Sequence, residues 1–115
     1  MNPSDRDTAL LNEILELIEL TIEHASKDKE VFINNLDMRD AAALRVQTIG
    51  EYMRSLSESF RESHPELPWR QAIAMRNIIA HEYGKIDYVI LWEAVTGQDF
   101  QSFLEKVQTI INSKN

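Results

Sequence analysis

Residues 37–63 read DMRDAAALRVQTIGEYMRSLSESFRES, and their spacing decides the fold class. Ala42, Val46, Ile49, Met53, Leu56 and Phe60 recur in steps of four and three. That is the period of an α-helix and not the two-residue alternation of a strand. Polar side chains fill the rest of each turn. The stretch therefore reads as a long helix from an Asp37 N-cap to about Ser63, with a narrow seam suited to helix packing. Gly50 lies inside it and costs about 1 kcal/mol relative to Ala. A close backbone approach by another helix or subunit would account for that cost.

The flanking segments carry the same period. From Asp5 to Ser26, Leu11, Ile14, Ile18, Ile22 and Ala25 form one row, and Leu10 and Leu17 widen it. A helix apolar over so wide an arc is expected to be covered on more than one side. Lys27 to Leu36 reads as a connector with one helical turn. His64-Pro65-Glu66-Leu67-Pro68 breaks the pattern, and Pro68 suits the first turn of the next helix. That helix holds Trp69, Ala72, Ile73, Met75, Ile78 and Ile79 and is expected to stop at a Gly84 C-cap. Helical pattern resumes over Tyr88–Val95, pauses at Thr96-Gly97, and closes with Phe100, Phe103, Leu104, Val107, Ile110 and Ile111. These segments predict an all-α, antiparallel bundle of four to five helices, with residues 1–115 as one domain.

Composition limits the function classes. The chain has no cysteine, so disulfides and thiolate metal sites are excluded and a reducing, cytoplasmic setting is expected. The polar start, Met1 to Thr8, does not read as a signal peptide, and no apolar run approaches the roughly 20 residues of a membrane span. The net charge of −7 argues against non-specific nucleic-acid binding. Its distribution is uneven. Residues 1–38 carry nine acids and three bases, whereas residues 39–76 carry six arginines and five acids. A phosphate would dock in that middle segment if anywhere, although solvated helix faces would look the same.

One constellation could carry chemistry: Arg76-Asn77-Ile78-Ile79-Ala80-His81-Glu82-Tyr83. Asn77 and His81, four apart, share a helix face, and Arg76 and Tyr83, seven apart, share a neighbouring one. Arg76 offers a planar fork of donors to phosphate oxygens. Histidine titrates near neutrality and can move a proton. Asn77 can orient the imidazole or the substrate, and Tyr83 adds a hydroxyl and a stacking surface for a base. With the ribose 2′-OH as nucleophile, such a site would need no metal and would cleave only RNA. The same residues also fit a plain structural role: a His at a helix C-terminus favours the helix dipole, and Arg and Tyr stems pack along helix surfaces. His24 and His64 stand apart, in a surface and a turn setting. No Glu-x-x-His pair, His-Glu-x-x-His motif, phosphate-gripping Gly-rich loop or Gly-x-Ser-x-Gly elbow is present. Trp69 and Trp92 read as core or interface anchors.

The ordered set of motifs resembles the HepT-like family of HEPN-domain proteins. Arg76, His81 and Tyr83 match its Arg-x4-His-x-Tyr signature. Arg-Val-Gln-Thr-Ile-Gly-Glu at 45–51, Leu67-Pro68-Trp69, Ile86-Asp87 and Trp92 fall in the same order as its flanking features. The resemblance covers nearly the whole chain. It implies a homodimer in which two motifs face one cleft, and a metal-independent ribonuclease with no cofactor, acting as the toxin of a toxin–antitoxin pair. It also implies a small nucleotidyltransferase antitoxin that silences the toxin by transferring AMP from ATP to the motif tyrosine, Tyr83. On this resemblance Arg76, Asn77 and His81 are the expected catalytic residues, and Tyr83 is the substrate-positioning and modification site. The alternative is a non-catalytic subunit that binds a nucleotidyltransferase or a nucleotide.

Overall fold

The fold is built on one long helical pair, and the reason is steric. In the computed structural model, which describes residues 3–113 without the side chains of Pro3, Ser4 and Tyr83, α3 (Leu36–Ser55) lies along α5 (Trp69–His81) in the most extensive helix contact of the molecule. Gly50 makes this possible. A Cβ there would overlap the Cβ of Arg76 and come within 2.7 Å of the Ala72 carbonyl oxygen. The close approach expected at Gly50 is therefore made by a helix of the same chain.

Around this pair, α1 (Pro3–His24) packs on α3 and on α7 (Gln98–Ser113), and the short α2 (Lys29–Asn34) packs on α3 and on α6 (Tyr88–Thr96). No strand occurs among the described residues. The all-α bundle expected from the periodicity is what forms, with two short helices added, α2 and α4 (Glu58–Ser63). The wide apolar arc of α1 is covered on two sides: Leu11, Ile14 and Ile18 are fully buried, and Leu10, Leu15, Leu17 and Ile22 pack around them. Two clusters make the core. One joins α1, α7, Ile49, Met53 and Trp69; the other joins Ala42, Ala43 and Val46 to Ile79, Phe32, Leu91 and Val95. Early α3 thus meets late α5, so the pair is antiparallel.

Four expectations about element ends need correction. The Lys27–Leu36 connector holds a true helix, because Asp28 caps it by accepting from the backbone N–H groups of Glu30 (2.9 Å) and Val31 (3.2 Å), and because Phe32 is driven into the core. Asn35, not Asp37, caps α3, through a 2.9 Å bond from the Met38 N–H. Asp37 sits in the first turn, where its charge still suits the dipole. The long helix does not continue to Ser63. Leu56 and Ser57 are extended, and the buried Asp7 accepts from both the Ser57 N–H (2.9 Å) and its hydroxyl (2.5 Å). The Ser57 oxygen in turn caps α4 at the Phe60 N–H. The buried row survives the break, since Leu56 and Phe60 still enter the core. Finally, α5 ends at His81 and not at a Gly84 cap. The chain turns through a 3-10 segment at Tyr83–Lys85, closed by the Lys85 N–H on the Glu82 carbonyl (2.7 Å), and no described glycine has a positive φ. Pro68 stands one place before the first helical residue, at the N-cap of α5.

The breaker segment is itself tied down. The Trp69 indole N–H donates to the His64 carbonyl (2.8 Å), and Trp92 likewise donates to Ser26 (2.8 Å), joining α6 to the end of α1. Both tryptophans therefore anchor packing. Glu66 beside His64 has its carboxyl held below the usual range, chiefly by a backbone hydrogen bond and then by His64, against an opposing push from burial. Its stabilising contribution is complete above the ordinary carboxylate range and is lost as pH falls through the lowered value. No described helix is long and apolar enough to cross a membrane.

Two predictions concern stability. Gly50→Ala gains about 1 kcal/mol of helix propensity but overpacks the α3–α5 contact, where backbone must move, at a cost of about 1–3 kcal/mol or more. The expected result is a lower Tm, whereas Gly84→Ala, with nothing within 4 Å of the added methyl, leaves Tm unchanged or slightly raised. Asp7→Ala strands the Ser57 donors and is expected to cost about 1–3 kcal/mol in denaturant unfolding.

Candidate functional site

The site is an open face of the α3–α5 pair near the C-terminal end of α5. Because Gly50 lets the helices touch, the Arg76 stem emerges directly over α3, and its Nε–H is paired with the Glu51 carboxylate. The Arg76 side chain is 18% exposed. Its Nη1 donates to the Asn77 Oδ1 at 2.9 Å. The same Glu51 oxygen lies 3.9 Å from Nη1 of Arg54, one turn further along α3. One carboxylate is thus flanked by two guanidinium groups, and the local balance is positive on a chain whose total is −7.

Among the described residues, Asn77 bonds to Arg76 and not to His81. Neighbours in sequence do not face one another on a helix, but the long Arg76 side chain folds back to reach Asn77. His81 is the last residue of α5 and is exposed, with no hydrogen bond or ion pair to its imidazole among the described residues. Tyr83 lies beyond the helix end, in the 3-10 turn, so the two-turn spacing from Arg76 does not carry a shared helix face. Its side chain lies outside the described residues.

Two large apolar side chains stand exposed near this face: Leu44 on α3 (64%) and Ile78 on α5 (46%), the latter next to Asn77. Leu44 shares a stripe of α3 with Thr48 and Glu51, at spacings of four and three. A groove of about 850 Å³ lies elsewhere, lined by Trp69, Ala72, Met75, Phe100 and Phe103 among others, and none of Arg76, Asn77 and His81 lines it. Asn77 and His81 are instead exposed at the surface. Among the described residues no three His, Cys, Asp or Glu side chains group as metal ligands would.

Glu51 is the residue that reading the sequence for chemistry passed over. Its signal was present: an acid directly after a helix-interior glycine, within a segment otherwise rich in arginine. What the sequence does not show is that Gly50 brings Arg76, 25 residues away, onto that acid.

Comparison with known proteins identifies the family. The profile of the ribonuclease HepT-like family matches residues 11–110. A candidate RNase of Methanocaldococcus jannaschii is 37% identical over 93% of this chain and 99% of its own length. A second protein of that organism, named as a gamma-glutamylcyclotransferase and candidate RNase, is 36% identical over 88% of this chain and 46% of its own. The probable ribonuclease HepT of Thermococcus cleftensis is 31% identical over 87% of this chain and 91% of its own. No solved structure matches significantly. The matched span contains α3, α5 and every motif residue but none of the chain's first ten positions, and on that match the chain belongs to the ribonuclease HepT-like family.

Proposed function

We propose that this protein is an endoribonuclease that works as a homodimer and cleaves RNA by attack of the ribose 2′-OH. The observation that carries the reading is a guanidinium held by Glu51 and Asn77 on the same helix as an exposed imidazole that has no partner among the described residues, in a chain of this family. In the proposed reaction His81 of one protomer takes the 2′-OH proton, and the 2′ oxygen bonds to phosphorus. The P–O bond to the 5′ oxygen breaks, and a second His81 protonates that oxygen. The products are a 2′,3′-cyclic phosphate and a 5′-hydroxyl. Arg76 stabilises the charge that builds on the pentavalent phosphate, the role in which a preorganised cation contributes most. Asn77 holds Arg76, a different task from the imidazole orientation that helix spacing suggests. Tyr83 positions substrate.

The proposed dimer would use the same face. One His81 cannot act at once as base and acid on opposite sides of a phosphate, and the exposed Ile78 next to Asn77 and Leu44 on the Glu51 stripe of α3 give a second copy apolar surface to cover. On this reading the chain is the toxin of a toxin–antitoxin pair. Its antitoxin is a nucleotidyltransferase that blocks the cleft by placing AMP on Tyr83. The net charge of −7 favours a second reading, a non-catalytic subunit that binds a basic partner. In that case expression without the antitoxin is harmless while the complex still forms.

The deciding experiment is cleavage of total cellular RNA by purified protein in excess EDTA, its Tyr83 shown free of AMP by mass spectrometry. Cleavage ending in cyclic phosphate is expected. His81→Ala should reduce it about 10²–10⁴-fold, and Arg76→Ala about 10²–10³-fold, with both variants folded. No cleavage by the unmodified protein overturns the reading. Leu44→Glu is expected to yield a folded monomer by light scattering with cleavage lost, and a dimer of unchanged activity would remove Leu44 from the interface.

A further inference from the structure

We infer that Glu51 is a positioning residue for Arg76: it fixes the guanidinium so that a defined part of it faces an anion. The inference rests on the ribonuclease reading of the site but is carried by separate observations. Arginine has five N–H donors in one plane. Nε–H is taken by Glu51 and one Nη1 hydrogen by Asn77, which leaves three, on Nη1 and Nη2. With bonds at two points on the plane, the group can neither rotate about its last bonds nor swing away on its stem. The stem is pinned as well, since its Cβ rests against Gly50, next to Glu51.

The alternative is that Glu51 merely makes a surface ion pair. Three features oppose that. Arg54 already lies near the same Glu51 oxygen and could serve such a pair without Arg76. The Arg76 contact reaches across 25 residues, and it uses Nε instead of the terminal nitrogens a free arginine presents first. It also places a negative charge beside the expected phosphate site. That charge weakens RNA binding in the ground state, so its presence there is accounted for by orientation and not by attraction.

This gives Glu51 a signature that a structural residue lacks. Removing its charge should improve binding while impairing the chemical step. In Glu51→Gln, kcat for RNA cleavage is expected to fall about ten- to a hundredfold, the scale of a misplaced catalytic group. KM should stay constant or drop, because a like charge has left the phosphate site. The half-exposed position of Glu51 leads us to expect an unchanged Tm. The second readout is the Arg76 Nε–H signal in ¹⁵N NMR, assigned by its loss in Arg76→Lys. It should be sharp in the native protein and broadened by exchange in Glu51→Gln.

Reduced kcat without a rise in KM, together with the broadened signal, supports the assignment. A native kcat in Glu51→Gln overturns it, as does a rise in KM that accounts for the whole loss. If the native protein does not cleave RNA, the ribonuclease reading falls by itself. The NMR comparison then decides the clamp alone: a signal equally sharp in both proteins overturns it, and broadening in Glu51→Gln upholds it.

Discussion

The absence of a side chain at position 50 is the constraint on which the rest depends. Helix axes normally stay about 8–10 Å apart because side chains keep them there. Where Gly50 meets Ala72 and Arg76, even one methyl group would not fit. Gly50 costs helix propensity locally and recovers it by letting α5 lie flat on α3. That contact buries Ile79 against Val46 on one side of Gly50 and Trp69 near Ile49 and Met53 on the other. It also sets the height at which Arg76 leaves α5, and so brings its guanidinium to Glu51. Packing and chemistry meet at one residue, and a substitution there would disturb both.

The outer helices fit around this pair by polar fastenings at their ends. Asp7 holds the extended Leu56-Ser57 link to α1. Trp92 holds α6 to Ser26, and Tyr88 bonds to Asp40 while Arg39 stacks over its ring. Each of these bonds joins an element to one far away in sequence. They explain why the helical period marks the helices but misplaces some of their ends. A period of 3.6 reports which face is buried, and the row from Ala42 to Phe60 is buried as its spacing requires. It does not report that Asp7, 50 residues upstream, captures the Ser57 N–H and interrupts the helix. Caps are more local, yet Asn35 and Asp37 are both good capping residues, and choosing between them depends on where α2 ends. Gly84 misleads for a related reason. Glycine permits a left-handed C-cap but does not require one.

For the site, legibility follows the distance over which chemistry is arranged. Arg76, Asn77 and His81 lie within six positions, and the structure keeps them on the last turns of one helix. The bonding among them was less accessible. Helix geometry pairs Asn77 with His81, but Arg76 is long enough to bend back and claim the amide oxygen. An arginine with five donors beside a single acceptor competes well against an imidazole with at most two. Glu51 could be found only once the helices were placed.

An acidic chain that cleaves RNA, as proposed for this one, has to concentrate its positive charge where it is used. Here six of the seven arginines lie in the middle segment while six acids lie on α1, and Glu51 tempers two of those arginines, Arg54 and Arg76. Such a surface holds RNA weakly wherever the site is incomplete, because binding that rests on phosphate neutralisation scales with the number of cations engaged. In the proposed dimer a second copy would double that number on one cleft and add the second imidazole. Non-specific affinity remains low everywhere else. On this argument the net charge of −7 is compatible with the proposed RNA cleavage, and under that proposal cleavage would depend on assembly.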